Sequence, residues 1–221
     1  MKTPYVHRPH RSPRAFSLIE LSVVIAILLT LATAGAQLLG HTEVQTRRAG
    51  TELISNLIEQ ARNTAITSRR HVVLAIAEPG DIPNTDARCR LGIFKVDSWP
   101  DAFDGEIIRA DQKGRWRAFE TGLAVSAGKL EGFDNPLDAE ELTLEYESNS
   151  KTKNAKIHAI AFNPRGTIVH PSSAQPIVVR VAAGHYRNGK FVPRKNTNNG
   201  AMVEQKIRIG RITARPYRIN E

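Results

Sequence analysis

Residues 15–39 read AFSLIELSVVIAILLTLATAGAQLL, and one side chain in that run decides how the chain is built. There is no charge from Leu21 to Leu39. With Phe16–Ile19 in front, the apolar stretch reaches 24 residues, broken only by Glu20 and small polar residues. At 1.5 Å per residue of helix it covers a hydrocarbon core of roughly 30 Å. The residues before it carry Lys2, Arg8, Arg11 and Arg14 and no acid, so they stay on the cytoplasmic side of such a span. Pro4, Pro9 and Pro13 keep that leader from forming a helix. Glu20 is the residue that needs explaining, because an ionised carboxylate costs a few kcal/mol at depth in a bilayer and less near its surface.

Three readings compete. A plain membrane anchor leaves the acid without a purpose. A secretory signal has the basic start and a small-x-small site at Ala32-Thr33-Ala34, and would release a soluble protein after Ala34, but it puts Glu20 at the head of the apolar region. In the third, the junction Ala15-Phe16-Ser17-Leu18-Ile19-Glu20 resembles the type III leader site of type IV pilins and pseudopilins. The resemblance implies that a prepilin peptidase cuts between Ala15 and Phe16 and that the new Phe16 amine is methylated. Ala15 stands where that family usually has Gly. An ammonium on Phe16 and the carboxylate of Glu20 are opposite charges. Their pairing, within a subunit or between neighbours as the family implies, offsets a burial that neither could bear alone. Ala32, Ala34, Gly35 and Ala36 are small enough for close helix contacts.

Beyond the apolar run, Ile54, Leu57, Ile58, Ala61 and Ala65 recur at three- and four-residue spacing, one face of an amphipathic helix. The two stretches predict a single helix from about Phe16 to Thr67. Gly50 costs it about 1 kcal/mol and is expected to serve close packing or a bend. The remainder reads as strands: His71–Ile76, Arg90–Val96, short pieces at Glu106–Arg109 and Arg115–Phe119, Leu142–Tyr146, Lys156–Phe162, Thr167–His170, Ile177–Val181, His185–Arg187, Lys190–Val192 and a final long strand Gln205–Thr213. Glu147–Lys156 reads as a polar hairpin loop, Asn163–Gly166 as a turn and Asn188-Gly189 as a tight turn. Mostly antiparallel strands after one long helix predict an α+β fold with two small sheets beside the helix. The expected segments are a basic leader at 1–15, a transmembrane half-helix at 16–39, an amphipathic half at 40–68 and a β-rich domain at 69–221.

Within that frame the chain resembles the GspH/FimT branch of pseudopilins and minor pilins. Leu57 leads to Ala61-Arg62-Asn63-Thr64-Ala65, Ile160-Ala161-Phe162-Asn163-Pro164-Arg165-Gly166 matches a strand-turn pattern, and Gly210-Arg211 sits in the last expected strand. The resemblance implies a minor pseudopilin of a type II secretion system, similar to GspH. It would be a single-pass inner-membrane protein with its globular part in the periplasm, assembling with other pseudopilins or pilins through the N-terminal helix. The alternative in the same branch is a FimT-like minor pilin that serves pilus assembly or DNA uptake through basic C-terminal residues.

The net charge of +9 is unevenly placed: residues 180–221 hold ten Lys/Arg and two Glu. Such a surface suits nucleic acid, lipid headgroups or an acidic protein face, or is simply a solvated rim. Arg208, Arg211, Arg215 and Arg218 are the candidate contacts with DNA or a partner, expected on a membrane-distal surface, with Arg187, Lys190, Arg194 and Lys195 beside them. Only Tyr186, Phe191 and Tyr217 could stack on bases. Arg208 and Arg211, three apart, would point to opposite sides of a regular strand. No nucleophile elbow, His-Glu-x-x-His or phosphate-binding glycine loop is present in the sequence. Asp97, Asp101, Asp104, Glu106 and Asp111 form an acidic patch without the EF-hand pattern. Cys89, alone, cannot form an internal disulfide. The expectation is a protein that is not an enzyme and carries no cofactor or metal.

Overall fold

The computed structural model describes residues 18–82, 86–100, 106–148, 151–197 and 199–219, with the side chains of 32–43 excepted. Helix α1 runs from Leu18 to Ser68. The strands are β1 His71–Ala77, β2 Arg90–Val96, β3 Ile107–Gln112, β4 Arg117–Ala118, β5 Leu123–Val125, β6 Leu142–Ser148, β7 Lys151–Phe162, β8 Ile168–His170, β9 Ile177–Arg187, β10 Lys190–Pro193, β11 Glu204–Ile209 and β12 Pro216–Ile219. The chain divides into two units, Met1–Glu43 and Val44–Glu221.

In the first unit the apolar side chains from Leu18 to Leu31 are exposed. Ser22 and Thr30 donate back to the helix carbonyls of Ile19 and Ile27 at 2.9 and 2.8 Å, so their hydroxyls are satisfied inside the helix. Leu18–Leu31 amounts to about 21 Å of helix. Among the described residues no helix is long and apolar enough to cross a membrane. Of the expected span 16–39, residues 16 and 17 lie outside the described residues, and the side chains of 32–39 are not described.

The second unit is built on the remaining half of α1. Its expected stripe is buried without exception: Ile54, Ile58, Ala61 and Ala65 are fully enclosed and Leu57 nearly so. The stripe packs on Val72, Leu74 and Ile76 of β1, on Ile160 and Phe162 of β7, and on the second sheet through Val179, Val181, Ile207 and Ile209. Gly50 lies where α1 comes closest to this core. A Cβ there would stand 2.9 Å from Leu123 Cδ1 and 3.4 Å from the Phe119 ring. Of the two roles expected for Gly50, close packing is the one the structure uses. Next to it, buried Thr51 donates to Gln205 Oε1 at 2.6 Å, joining helix to β11.

The first sheet closes on itself. β1 pairs with β2, β2 with β3, β3 with β6, β6 with the first half of β7, and the second half of β7 returns to β1. The β3–β6 step is parallel, an exception to the antiparallel pattern. Inside the ring small residues (Ala75, Ala77, Ala110, Ala155, Ala159) leave room for Phe94 and Tyr146, whose rings meet edge-on at 5.1 Å. This explains why HVVLAIA reads as an unbroken apolar run. Alternate residues of β1 face α1 and the ring interior, so both faces are buried. The second sheet runs β10-β9-β11-β12, with β5 also on β9. Asn188 and Gly189 take φ of 52° and 77° between β9 and β10, the left-handed pair that a two-residue hairpin turn requires.

Three sequence expectations are corrected and one unassigned stretch is placed. Glu147–Lys156 is not a loop: β6 and β7 pair out to Ser148↔Lys151, because a two-stranded ribbon tolerates polar residues on both faces. Ile177–Val181 and His185–Arg187 are one strand, β9. Leu123–Val125, which the sequence leaves unassigned, is a buried strand on β9. The last strand does not reach Thr213. It stops at Ile209, a turn follows in which Ala214 N–H donates to Gly210 O at 2.7 Å, and Ile212 is 82% exposed. The chain then returns as β12, which opens on Pro216, a position where an edge strand accepts proline.

Replacing Gly50 with leucine is expected to destabilise the fold by about 1–3 kcal/mol through overpacking against Phe119 and Leu123. Urea unfolding of the full chain in detergent, followed by tryptophan fluorescence, measures it; an unchanged midpoint would refute the close approach.

Candidate functional site

Two places carry the candidate residues. Glu20 lies in the first turn of α1, exposed, where the helix N-terminus favours a carboxylate. Ala15 and Phe16 lie outside the described residues, as do Asp101 and Asp104 of the acidic patch. Asp97 of that patch takes Arg70 at 3.0 Å.

The four C-terminal arginines do not form one site. Arg211 is turned into the fold. It bonds the Asp134 carboxylate, Ser173 Oγ and the carbonyls of Pro171 and Gln175, fastening the 211–214 turn to two other loops. Arg218 reaches Glu52 on α1 at 3.1 Å, an exposed pair. Arg208 lies 5.6 Å from the centre of the Phe133 ring and remains exposed, and Arg215 is exposed just before β12. The split follows from the break in the strand. Arg208 is on β11, while Arg211 falls in the turn after it. β11 and β12 lie against the Arg48–Glu52 stretch of α1, joined to it by Thr51 with Gln205 and by Arg218 with Glu52. Arg48, Glu52, Gln205, Lys206, Arg218 and Ile219 line a groove of about 290 Å³ there.

One charged residue escaped the sequence reading. Arg180, in the middle of β9, is nearly buried and pairs with equally buried Glu204 at 2.8 Å. It also donates to the carbonyls of Ala127 and Gly128 at 3.3 and 3.2 Å, and to Met202 Sδ at 3.1 Å. The signal was present: a lone arginine inside IVVRVAA needs a buried partner.

Two side chains with acid–base chemistry, Cys89 and His170, are buried. Burial pushes the Cys89 thiol up to about 12, so it stays protonated. Burial pulls His170 down to about 4; it is neutral at physiological pH, and its Nε2–H donates to Glu140 O at 3.0 Å. His170 lines a cleft of about 660 Å³ whose floor includes Leu130, Phe133 and Pro171 and which Arg211 borders through Asp134. Glu78 and Asp81 share the turn after β1, with Asp81 accepting the Glu78 N–H at 2.7 Å. Partial burial raises both carboxyls. Their mutual repulsion raises Glu78 further, Glu141 adds to both, and His158 opposes.

Comparison with known proteins places this architecture. The family model described as Type II transport protein GspH matches residues 50–195, and the prokaryotic N-terminal methylation motif matches residues 10–36. No curated protein matches the chain significantly. A crystal structure of the type IV minor pilin FimU from Pseudomonas aeruginosa (strain PAO1) is similar over 81% of this chain and 92% of that one, at 14% identity and a TM-score of 0.40.

Arg211→Ala is expected to cost about 1.5–3 kcal/mol, the range for lost hydrogen bonds to a charged group. Arg215→Ala should stay within about 0.5 kcal/mol. Equal effects in denaturant unfolding would contradict the division drawn between them. Because the folded state holds Glu78 above its unfolded value, its contribution favours folding at low pH and is lost as pH rises through the folded value. Glu78→Gln should therefore raise the melting temperature at pH 7.5 and flatten its dependence as pH falls from 7.5 toward the unfolded value, read by calorimetry; a drop at pH 7.5 would count against the raised carboxyl.

Proposed function

This chain belongs to the GspH family of pilin-like proteins, and from that premise we propose that it is a minor pseudopilin of a type II secretion system. Family membership already makes it a structural subunit that assembles with other pilins or pseudopilins. The finer reading rests on one combination. A methylation motif at 10–36 contains Glu20 within an apolar run, and a GspH-type β unit follows directly on the same helix. Prepilin peptidase would cut between Ala15 and Phe16, and residues 16–39 would hold the chain in the inner membrane with 69–221 in the periplasm. Glu20 would neutralise the Phe16 amine of a neighbour. The charge pair sets axial register, since a carboxylate in hydrocarbon is stable only where an ammonium meets it. The work is mechanical: apolar helices pack side by side while the β units present surfaces to neighbours.

The FimT-like alternative needs a surface for DNA. Of the four arginines assigned to it, Arg211 is held by Asp134 and two carbonyls, and Arg218 shares Glu52, which argues against a common four-arginine DNA face. The secreted alternative requires cleavage after Ala34.

Intact mass with N-terminal fragmentation of protein extracted from its native membrane should show a chain beginning at methylated Phe16. A chain beginning at Gly35, or still at Met1, would end the filament reading. Glu20→Ala should leave the protein in the membrane and sharply lower its cross-linking to other subunits; undiminished cross-linking would remove Glu20 from assembly.

A further inference from the structure

The groove beside Arg48 opens onto a wider basic surface. Arg208, Gly210, Tyr217, Arg218 and Ile219 line an adjoining hollow, and Arg215 stands exposed two residues before Tyr217. Strand register explains the grouping. Arg208 pairs with Tyr217, so both point to one side of the β11–β12 ribbon, and Ile207 pairs with Arg218 on the other, where Arg218 reaches α1. Arg48, Arg208, Arg215 and Arg218 are all exposed, and Glu52 is the one acid lining the groove. Tyr217 is 57% exposed among them.

We propose that this surface docks on an anionic phospholipid headgroup layer, laying the β unit against the membrane that holds its N-terminal segment. The inference rests on the membrane-anchored reading above. Its first support is charge complementarity: beyond the Arg218–Glu52 pair, the exposed guanidinium groups of Arg48, Arg208 and Arg215 surround the ribbon edge and suit an anionic partner, and guanidinium forks match phosphate oxygens. The second is the tether. Arg48 lies nine positions after Leu39, a stretch that reaches at most about 32 Å even when extended. A bilayer surface is thus within reach at high effective concentration, whatever the angle at which the unit is held. The third is Tyr217, an aromatic ring with a polar tip, the side chain that favours the bilayer–water interface. Duplex DNA would match the charge but not the tether.

Because attraction to an anionic leaflet fades within a screening length of about 8 Å at physiological salt, docking must be close and salt-sensitive. It would also tilt or lower the β unit in a lone subunit and be given up when the subunit is drawn into a filament, leaving these arginines to choose between lipid and neighbours.

The test uses the full chain carrying Tyr217→Cys, with the introduced thiol labelled by a fluorophore; native Cys89 is buried and does not compete. The protein is reconstituted in phosphatidylcholine vesicles with or without phosphatidylglycerol, both holding a headgroup-attached spin-label quencher. Quenching is expected to be strong only with phosphatidylglycerol and to be reversed by high salt. Arg48→Gln, Arg208→Gln and Arg215→Gln together should weaken the contact by roughly a hundredfold in equilibrium constant, at the several-fold per basic residue that an anionic surface supplies. Equal quenching in both lipids overturns the proposal, as does salt-sensitive protection of the label by duplex DNA without any by phosphatidylglycerol. Flotation separates the two levels. A chain that floats with both vesicle types while its label stays unquenched is anchored but undocked, whereas a chain that floats with neither removes the anchored reading and this inference with it.

Discussion

The second unit depends on a single stripe of five helical side chains that must satisfy two sheets at once. Ile54, Leu57, Ile58, Ala61 and Ala65 meet the outer face of the closed ring and the inner face of the β9–β11 ribbon in one continuous core. Such a stripe can serve both only if the backbone comes close, and that is why the residues toward its start shrink to Gly50 and Thr51. The two alanines at its far end do the same beside Ile160 and Phe162. Small residues on the helix and large ones on the sheets are one packing solution, distributed along the sequence.

A second core, wholly separate in its contacts, fills the ring. Because β1 and β7 border both cores, neither can shift without disturbing the other. The register of β1 against β2 and β7 is consequently fixed on two faces, and a one-residue slip would exchange Val72, Leu74 and Ile76 for Val73, Ala75 and Ala77 in the helix contact. Charges are excluded from both cores apart from Arg180 with Glu204. That pair sits where β9 and β11 run side by side and also collects the carbonyls of the 127–128 segment. Removing either partner would leave a buried charge, so the pair ties loop to sheet whatever its net worth in stability.

The sequence made legible whatever repeats locally. The helical stripe shows at three- and four-residue spacing, β1 as a dense apolar run, and the Asn188-Gly189 and Asn163–Gly166 turns through residues that favour those backbone shapes. Illegible were the features that depend on distant partners. Ring closure joins β7 to β1 across more than eighty residues. Arg211 is defined by Asp134, 77 residues earlier, so a residue read as an outward contact proves to be an internal clasp. KIRIGRITAR alternates well enough to pass for one long strand. Only the clasp at Arg211, together with Gly210 and Pro216, breaks it into a strand, a turn and a returning strand. Of the candidate residues, Glu20 could be singled out because its oddity is local, a carboxylate in an apolar run, while the arginines could not be sorted by counting them.

That sorting changes what the excess charge means. A net charge of +9 invites the picture of a uniformly basic tail. Once Arg180 and Arg211 are assigned to bonds within the fold, Arg208, Arg215 and Arg218 are the arginines left around the β11–β12 ribbon and its contact with α1. There they stand beside Arg48, a helix residue that lies only nine positions past the apolar run. Under the membrane-docked reading proposed above, charge at that location would act on the surface that the N-terminal segment holds nearby, because electrostatic attraction is short-ranged in salt and a tether supplies proximity that affinity alone would have to provide. Position relative to the tether, more than the number of positive charges, would then determine which anionic surface this protein meets first.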